Sequence, residues 1–201
     1  MTATTFDDAF VAQVRRRPDA TAVVFGADAC TYAGLDRRVA GMAAQLAGAG
    51  VGAVAGAGDR VVLVADNSAD HLAAAFAVWR AGAVLVTIYP SSTEAELASA
   101  IVSVAPALIV AGARVADTAQ AAAGTVPVVG LDGSGALVGL PVRSGEATPT
   151  PAPVVDPDEV ALICFTSGST ARPKAVTQSH RGLVGAAIAY ARVWHLGDDD
   201  A

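Results

Sequence analysis

Cysteine, basic charge and uninterrupted apolar runs are all scarce in this chain, and each shortage removes a class of protein. Its 201 residues hold two cysteines, Cys30 and Cys164, which are far apart and in no metal-ligand spacing. Neither a disulfide scaffold nor a structural zinc site is expected, and the pair reads as two reduced, buried thiols, with the cytoplasm as the default compartment. Hydrophobic residues make up 53% of the sequence and mean hydropathy is +0.49, but alanine and valine supply most of it. A spanning helix needs about 18 or more apolar residues in succession. Val78 to Tyr89 is broken by Arg80 and closes at Pro90, while Leu97 to Ala113 is uncharged but has Pro106 at its centre. Each reads as a helix followed by a buried strand, and no membrane span is expected.

The amino terminus carries Asp7 and Asp8 early and Arg15, Arg16 and Arg17 late, with no apolar core or small-residue cleavage site between them. It is not a secretory signal. A net charge of -6 argues against a nucleic-acid partner, because neither Arg15 to Arg17 nor Arg37 and Arg38 makes an extended basic face. Both clusters read as solvated helix ends. His71 and His195 have no carboxylate or cysteine at metal-ligand spacing, and Asp198 to Asp200 form a polar tail, so no metal site is assigned.

What is present is an alternation of strand and helix patterns in a length that suits one ordinary domain. Phe6, Ala9, Phe10, Val11 and Val14 outline an amphipathic helix stopped by Pro18, and Ala22 to Phe25 a short strand. Thr31 is placed as an N-cap for a helix with Leu35, Val39, Met42 and Leu46 on one face. Arg60 to Ala65 is a strand; Ser68 opens a helix with Leu72, Phe76 and Trp79 inward, and Gly82 ends it. Strands follow at Val84 to Ile88 and Leu108 to Val110, around a helix from Glu94 to Val104. A short weak helix is placed at Thr118 to Ala123 and a further strand at Val126 to Val129. Strands separated by helices of this length predict an α/β fold with a mostly parallel sheet and flanking helices. Gly50 to Gly58 reads as a flexible turn, not a nucleotide cradle. The expected organisation is an α/β subdomain over 1–130, a Gly- and Pro-rich loop or linker over 131–158, and a phosphate-loop segment over 159–201.

The stretch that carries chemistry runs from Thr166 to Val176, T-S-G-S-T-A-R-P-K-A-V. Hydroxyls at Thr166, Ser167, Ser169 and Thr170 flank Gly168, and Lys174 adds a positive charge, a combination suited to the many oxygens and the negative charge of a polyphosphate. The loop follows an apolar strand, Val160 to Phe165, and precedes a helix-like segment from Ser179. It is therefore expected at the carboxyl end of a strand, where open α/β sheets place their ligands. Pro173 stands where a Walker loop needs glycine before its lysine, so this is not a Walker site. His180, at the helix start, reads as a packing or capping residue.

This loop resembles the phosphate-binding motif of the AMP-forming adenylating enzymes, the superfamily of acyl- and aryl-CoA synthetases, peptide-synthetase adenylation domains and luciferases. Three further segments resemble the same family in the same order: Thr31-Tyr32-Ala33-Gly34-Leu35, Arg80-Ala81-Gly82 through Ile88-Tyr89-Pro90, and Ser179-His180-Arg181-Gly182-Leu183. Peptide-synthetase domains usually carry aspartate where Tyr89 stands, which favours an acyl- or aryl-CoA ligase.

The resemblance implies two half-reactions using ATP, Mg2+ and coenzyme A: a carboxylic acid is adenylated with release of pyrophosphate, and the thiol then displaces AMP. It assigns Thr166, Ser167, Gly168, Ser169, Thr170 and Lys174 to the β- and γ-phosphates. It places no catalytic residue in this chain, because the family's ribose-binding aspartate, hinge and catalytic lysine lie further along. The chain is thus expected to be an amino-terminal portion, inactive alone, that associates through an exposed sheet face or with a missing carboxy-terminal half. Two alternatives are a non-catalytic truncated paralogue serving as a nucleotide-binding or interaction module, and a fragment of a peptide-synthetase adenylation domain. Alanines at Ala171 and Ala175 replace the family's usual glycines; where glycine needs positive φ, each would cost about 1 kcal/mol.

Overall fold

The computed structural model describes residues 5–26, 28–52, 58–140, 154–166 and 174–197. The chain opens with α1 (Phe6–Arg16), whose N-cap Thr5 and N3 residue Asp8 form a reciprocal capping box, each satisfying a backbone N–H that the first turn leaves orphaned. A small antiparallel hairpin follows, β1 (Thr21–Phe25) with β2 (Asp28–Thr31). The Thr31 hydroxyl then accepts from Gly34 N to cap α2 (Tyr32–Gly48). Leu35, Val39, Met42 and Leu46, spaced for one helical face, are all buried.

The main sheet is built from β3 (Arg60–Val64), β4 (Val84–Thr87), β5 (Leu108–Gly112), β6 (Val128–Leu131), β7 (Leu137–Val138), β8 (Val160–Thr166) and β9 (Lys174–Ser179). Their spatial order is β7-β6-β5-β3-β4-β8-β9. The central five pair in parallel, and β7 and β9 add antiparallel edges. Between strands run α3 (Ala69–Arg80), α4 (Glu94–Val104) and α5 (Ala116–Ala122), the last preceded by a 3-10 turn at Ala113–Val115; α6 (His180–Val193) follows β9.

The sheet separates two cores. One joins α1, α2 and α3 to the face bearing Leu63, Leu85 and Val110; the other joins α4 and α5 to the face bearing Val62, Val86 and Ile109. The parallel strands read as near-continuous apolar runs because both faces are covered. Consecutive connections leave on opposite faces: α3 after β3 packs on the first, α4 after β4 on the second. The connection after β3 runs to β4 on one side while that after β5 runs to β6 on the other, and α3 and α5 lie on opposite faces, so the topological switch point falls between the carboxyl ends of β3 and β5.

Contacts between distant segments cluster around α3. Phe6 and Phe10 of α1 pack on Phe76 and Trp79, with ring centroids 4.4 to 5.7 Å apart. Arg80 holds both Asp7 carboxylate oxygens, at 3.0 and 3.1 Å, and Asp36 at 2.8 Å. Burial pushes the Asp7 carboxyl above its ordinary range, and Arg80 offsets this only in part. The buried Trp79 indole N–H donates to Ala161 O at 2.8 Å, fastening α3 to β8 across the sheet. Asp70, also buried, accepts from Arg38 at 2.7 Å and from Gly135 N at 2.9 Å. The Gln45 amide gives one bond to Leu137 O and takes one from Leu137 N, acting as a strand partner for β7.

Three expectations are corrected here. Arg37 and Arg38 lie inside α2, not at a solvated helix end, and Arg38 is committed to Asp70. Cys30 and Cys164 are free thiols but half-exposed, because each sits on a strand at or near an edge of its sheet, with Cys30 only packing against the margin of the first core. The stretch after Lys174 is a strand and not part of a loop. Within the segment expected as a linker, Leu137–Val138 pair with β6, while residues 141–153 lie outside the described residues.

The far edge is more open. Val176 on β9 and Ile188, Val193, Trp194 and Leu196 on or after α6 are exposed. Among the described residues no helix is long and apolar enough to cross a membrane.

Two stability measurements check this packing. Trp79→Phe leaves Ala161 O buried without its donor and is expected to cost about 2 kcal/mol, whereas Ile188→Ala, at an exposed site, should stay within about 0.5 kcal/mol; equal urea midpoints for the two would contradict the role given to the indole. The second measurement concerns His180, which is buried and accepts from Phe6 N at 3.4 Å through Nδ1. Burial holds its pKa below the ordinary value, so the unfolded chain takes up the proton first. Stability is full above pH about 6.5 and falls as pH drops below it. His180→Asn, which keeps an acceptor and loses the titration, should flatten that limb while His71, also depressed by burial, retains part of it. An unchanged slope between pH 7.5 and 5 would refute this.

Candidate functional site

The site is assembled at the carboxyl ends of β3, β4 and β8. Val160–Thr166 runs beside β4 with Leu85, Val86 and Thr87 opposite Leu162, Ile163 and Cys164. Leu162 packs against one core and Ile163 and Phe165 against the other, while Val160 and Thr166 at the two ends of the strand are exposed. The chain returns as β9, pairing Thr166 with Lys174, and the Thr166 hydroxyl lies 3.5 Å from Lys174 O. Two of the six expected phosphate contacts are thus side by side at the predicted edge of the sheet. Ser167, Gly168, Ser169 and Thr170 lie outside the described residues, as does Ala171.

Ala175 is described, and it corrects an expectation. It pairs with Phe165 inside β9 and is absent from the described residues with positive φ, which besides glycines are Ala105 and His195. An extended position accepts alanine without strain. The glycine-to-alanine difference at 175 therefore carries no backbone penalty.

Around this edge the ends of neighbouring strands carry polar groups to which the sequence pattern assigned no place in the site. Asp66, after β3, takes two hydrogen bonds from Arg114, after β5, at 2.6 and 2.8 Å. These bonds hold the Asp66 carboxyl below its ordinary range. His71, in the first turn of α3, has Nδ1 3.2 Å from Ala65 O, and burial lowers its pKa. Beyond β4, Tyr89 is exposed, and Ser92 N donates to Tyr89 O at 3.0 Å to close a turn over Pro90. Nothing in local sequence links Asp66 to Arg114, because 48 residues separate them.

Space for Gly112 in β5 is set by its neighbour: a Cβ there would meet Ala65 Cβ at 2.9 Å. Glycine lets the ends of β3 and β5 approach closely enough for the Asp66–Arg114 pair.

The opposite, amino edge holds a cavity of about 440 Å3 lined by Arg60, Val84, Glu159, Val160 and His180 among others. His180 is placed there as a packing residue, as its position suggested, and not near Thr166. Ser179 caps α6 by accepting from Gly182 N at 3.1 Å. Among the described residues no three His, Cys, Asp or Glu side chains are grouped to hold a metal ion; Asp198 to Asp200 lie outside them.

Comparison with known proteins agrees with this geometry. The family model described as AMP-binding enzyme matches residues 10–201. A feruloyl-CoA synthase from Amycolatopsis is 35% identical over 175 residues, covering 86% of this chain and 33% of its own length. The salicyl-AMP ligase / salicyl-S-ArCP synthetase of Mycobacterium tuberculosis is 35% identical over 211 residues, covering 98% of this chain and 37% of its own. Among solved structures, apo MbtA of Mycobacterium smegmatis superposes with a TM-score of 0.82 at 29% identity, over 98% of this chain and 38% of that one. The chain spans about a third of the length of these relatives. On a match that runs through nearly all of its sequence and on the shared fold, this chain belongs to the AMP-binding enzyme family.

Proposed function

We propose that this chain forms the polyphosphate-holding part of an enzyme that activates a carboxylic acid with ATP. The observation that carries the reading is the pairing of Thr166 with Lys174 at the carboxyl end of β8, which runs parallel to β4. In the reaction a carboxylate oxygen attacks the α-phosphorus, the bond to the bridging oxygen breaks, and pyrophosphate leaves with the charge. Lys174 would offset charge growing on that leaving group, and the hydroxyls of Thr166, Ser167, Ser169 and Thr170, with the backbone at Gly168, would hold it in line. Mg2+ would accompany the nucleotide on its phosphate oxygens and supply further charge neutralisation.

The second half-reaction in this reading is attack by the coenzyme A sulfur on the acyl carbon, with AMP leaving. The names of the relatives, a feruloyl-CoA synthase and a salicyl-AMP ligase, favour an aryl or acyl acid as substrate. A peptide-synthetase context is the second reading, supported by 32% identity over 195 residues to the phenyloxazoline synthase MbtB of Mycolicibacterium paratuberculosis. Within the proposal, 1–130 is the scaffold, 131–158 the connection and 159–201 the phosphate-loop segment. Two free thiols fit a reducing compartment, the cytoplasm.

Lys174 is the only lysine in the sequence, which makes the test direct. Modification of its ε-amine by an amine-reactive reagent should slow in the presence of millimolar MgATP or pyrophosphate, read by mass spectrometry of the peptide that carries it. In calorimetry, Lys174→Ala should weaken binding of both at least fivefold. Equal modification rates with and without ligand, together with equal binding by the variant, would remove Lys174 from the proposal.

A further inference from the structure

The ends of β4, β8 and β9 carry three polar side chains in one row, of which only two belong to the loop motif. Thr87 lies opposite Cys164, so two residues further along each chain come Tyr89, just past the end of β4, and Thr166, the last residue of β8. The alternation of the cores agrees. Val84, Val86 and Ile88 belong with Ile163 and Phe165 to the face covered by α4, whereas Leu85 and Leu162 belong to the other. Continued past Thr87, that alternation assigns Tyr89 with Thr166 to the face of α3, and Thr166 in turn lies directly opposite Lys174.

Neighbouring strands are about 4.8 Å apart, so the row spans about 10 Å. It presents a phenol hydroxyl, a threonine hydroxyl and an ammonium, which is the reach and the donor chemistry of a chain of two or three phosphates.

Tyr89 is also held in place and left open. It is 74% exposed, although Val84, Leu85, Val86 and Ile88 before it are all buried. The Ser92 N to Tyr89 O bond closes a turn in which Pro90 takes the second position, and proline sets that position's φ in advance. The residue stands at the carboxyl edge of the sheet, the edge at which open α/β sheets take their ligands.

We propose that Tyr89 is a positioning residue for the polyphosphate, its hydroxyl donating to a phosphate oxygen of the group held by Thr166 and Lys174. This rests on the nucleotide reading above and adds to it a residue from a segment 77 positions before Thr166 in the sequence.

Tyr89→Phe removes only the hydroxyl at an exposed site, so the fold is retained, as its thermal melt should show. Titrated with pyrophosphate, the variant is expected to bind about tenfold more weakly than the unsubstituted chain, the loss of one hydrogen bond to a charged group. Titrated with AMP, which lacks the β- and γ-phosphates, the two should bind equally. Tyr89→Trp, which keeps an aromatic ring with a donor, should recover part of the pyrophosphate affinity. If Tyr89→Phe binds pyrophosphate like the unsubstituted chain while Lys174→Ala is weakened, the role of Tyr89 is overturned and the nucleotide reading stands. Equal losses for AMP and pyrophosphate would also overturn it, placing the hydroxyl away from the terminal phosphates. Failure of the unsubstituted chain to bind pyrophosphate would overturn both.

Discussion

The seating of β8 beside β4 is the constraint on which the rest depends. β8 arrives from the far side of the chain, after β6 and β7 have extended the sheet in the other direction. Nothing local commits it to that place. It is held by a parallel ladder to β4 and by the Trp79 indole, whose N–H is satisfied in the interior by Ala161 O. An indole buried without an acceptor, or a carbonyl buried without a donor, would each carry a desolvation cost, so the two polar groups specify one another. Once β8 is in register, Thr166 emerges level with the end of β4, and β9 folds back to set Lys174 opposite it.

Trp79 is itself positioned from the amino terminus. α1 lays Phe6 and Phe10 against Phe76 and Trp79, and Arg80 in the next position ties Asp7 and Asp36 together. The apolar contacts supply the main driving force, since they remove large rings from water. The charges fix how α1, α2 and α3 are set against one another. Burial works against Arg80 and Asp7 alike, but two carboxylates around one guanidinium keep the arginine charged with its pKa raised. Replacing either partner would strand charge in a half-buried place, which is the usual reason such clusters are sensitive to single substitutions. The path from sequence to site therefore runs through a helix that never approaches the phosphate edge.

Residues of small size do comparable work at the sheet's other connections. Gly82, after the α3 C-cap, has φ +75, a conformation that ends the helix and starts β4 without a Cβ clash. Gly52, with φ +85, would place a Cβ 1.7 Å from Ala81 O. These two positions let the α2–β3 and α3–β4 connections pass close to each other. The tight crossing brings Gly58, Gly82 and Val84 together at the amino edge, the opposite edge from Thr166.

The sequence alone determined the helices and the buried parallel strands, because their information is local. Leu35, Val39, Met42 and Leu46 state a helical face by spacing, Thr31 and Ser68 each cap a helix, and an apolar run such as Val61 to Val64 states burial on both sides. The resemblance to the AMP-binding family was legible for the same reason, in compact motifs such as the run of hydroxyls, glycine and lysine from Thr166 to Lys174. Tertiary structure alone decided the rest. β2, β7 and β9 are short edge or hairpin strands whose pairing partner defines them, so Lys174 to Ser179 looks like loop until Thr166 to Val160 lies beside it. Likewise the nearness of Asp66 to Arg114 and of Trp79 to Ala161 follows from strand order and register, which no periodicity within a single segment encodes.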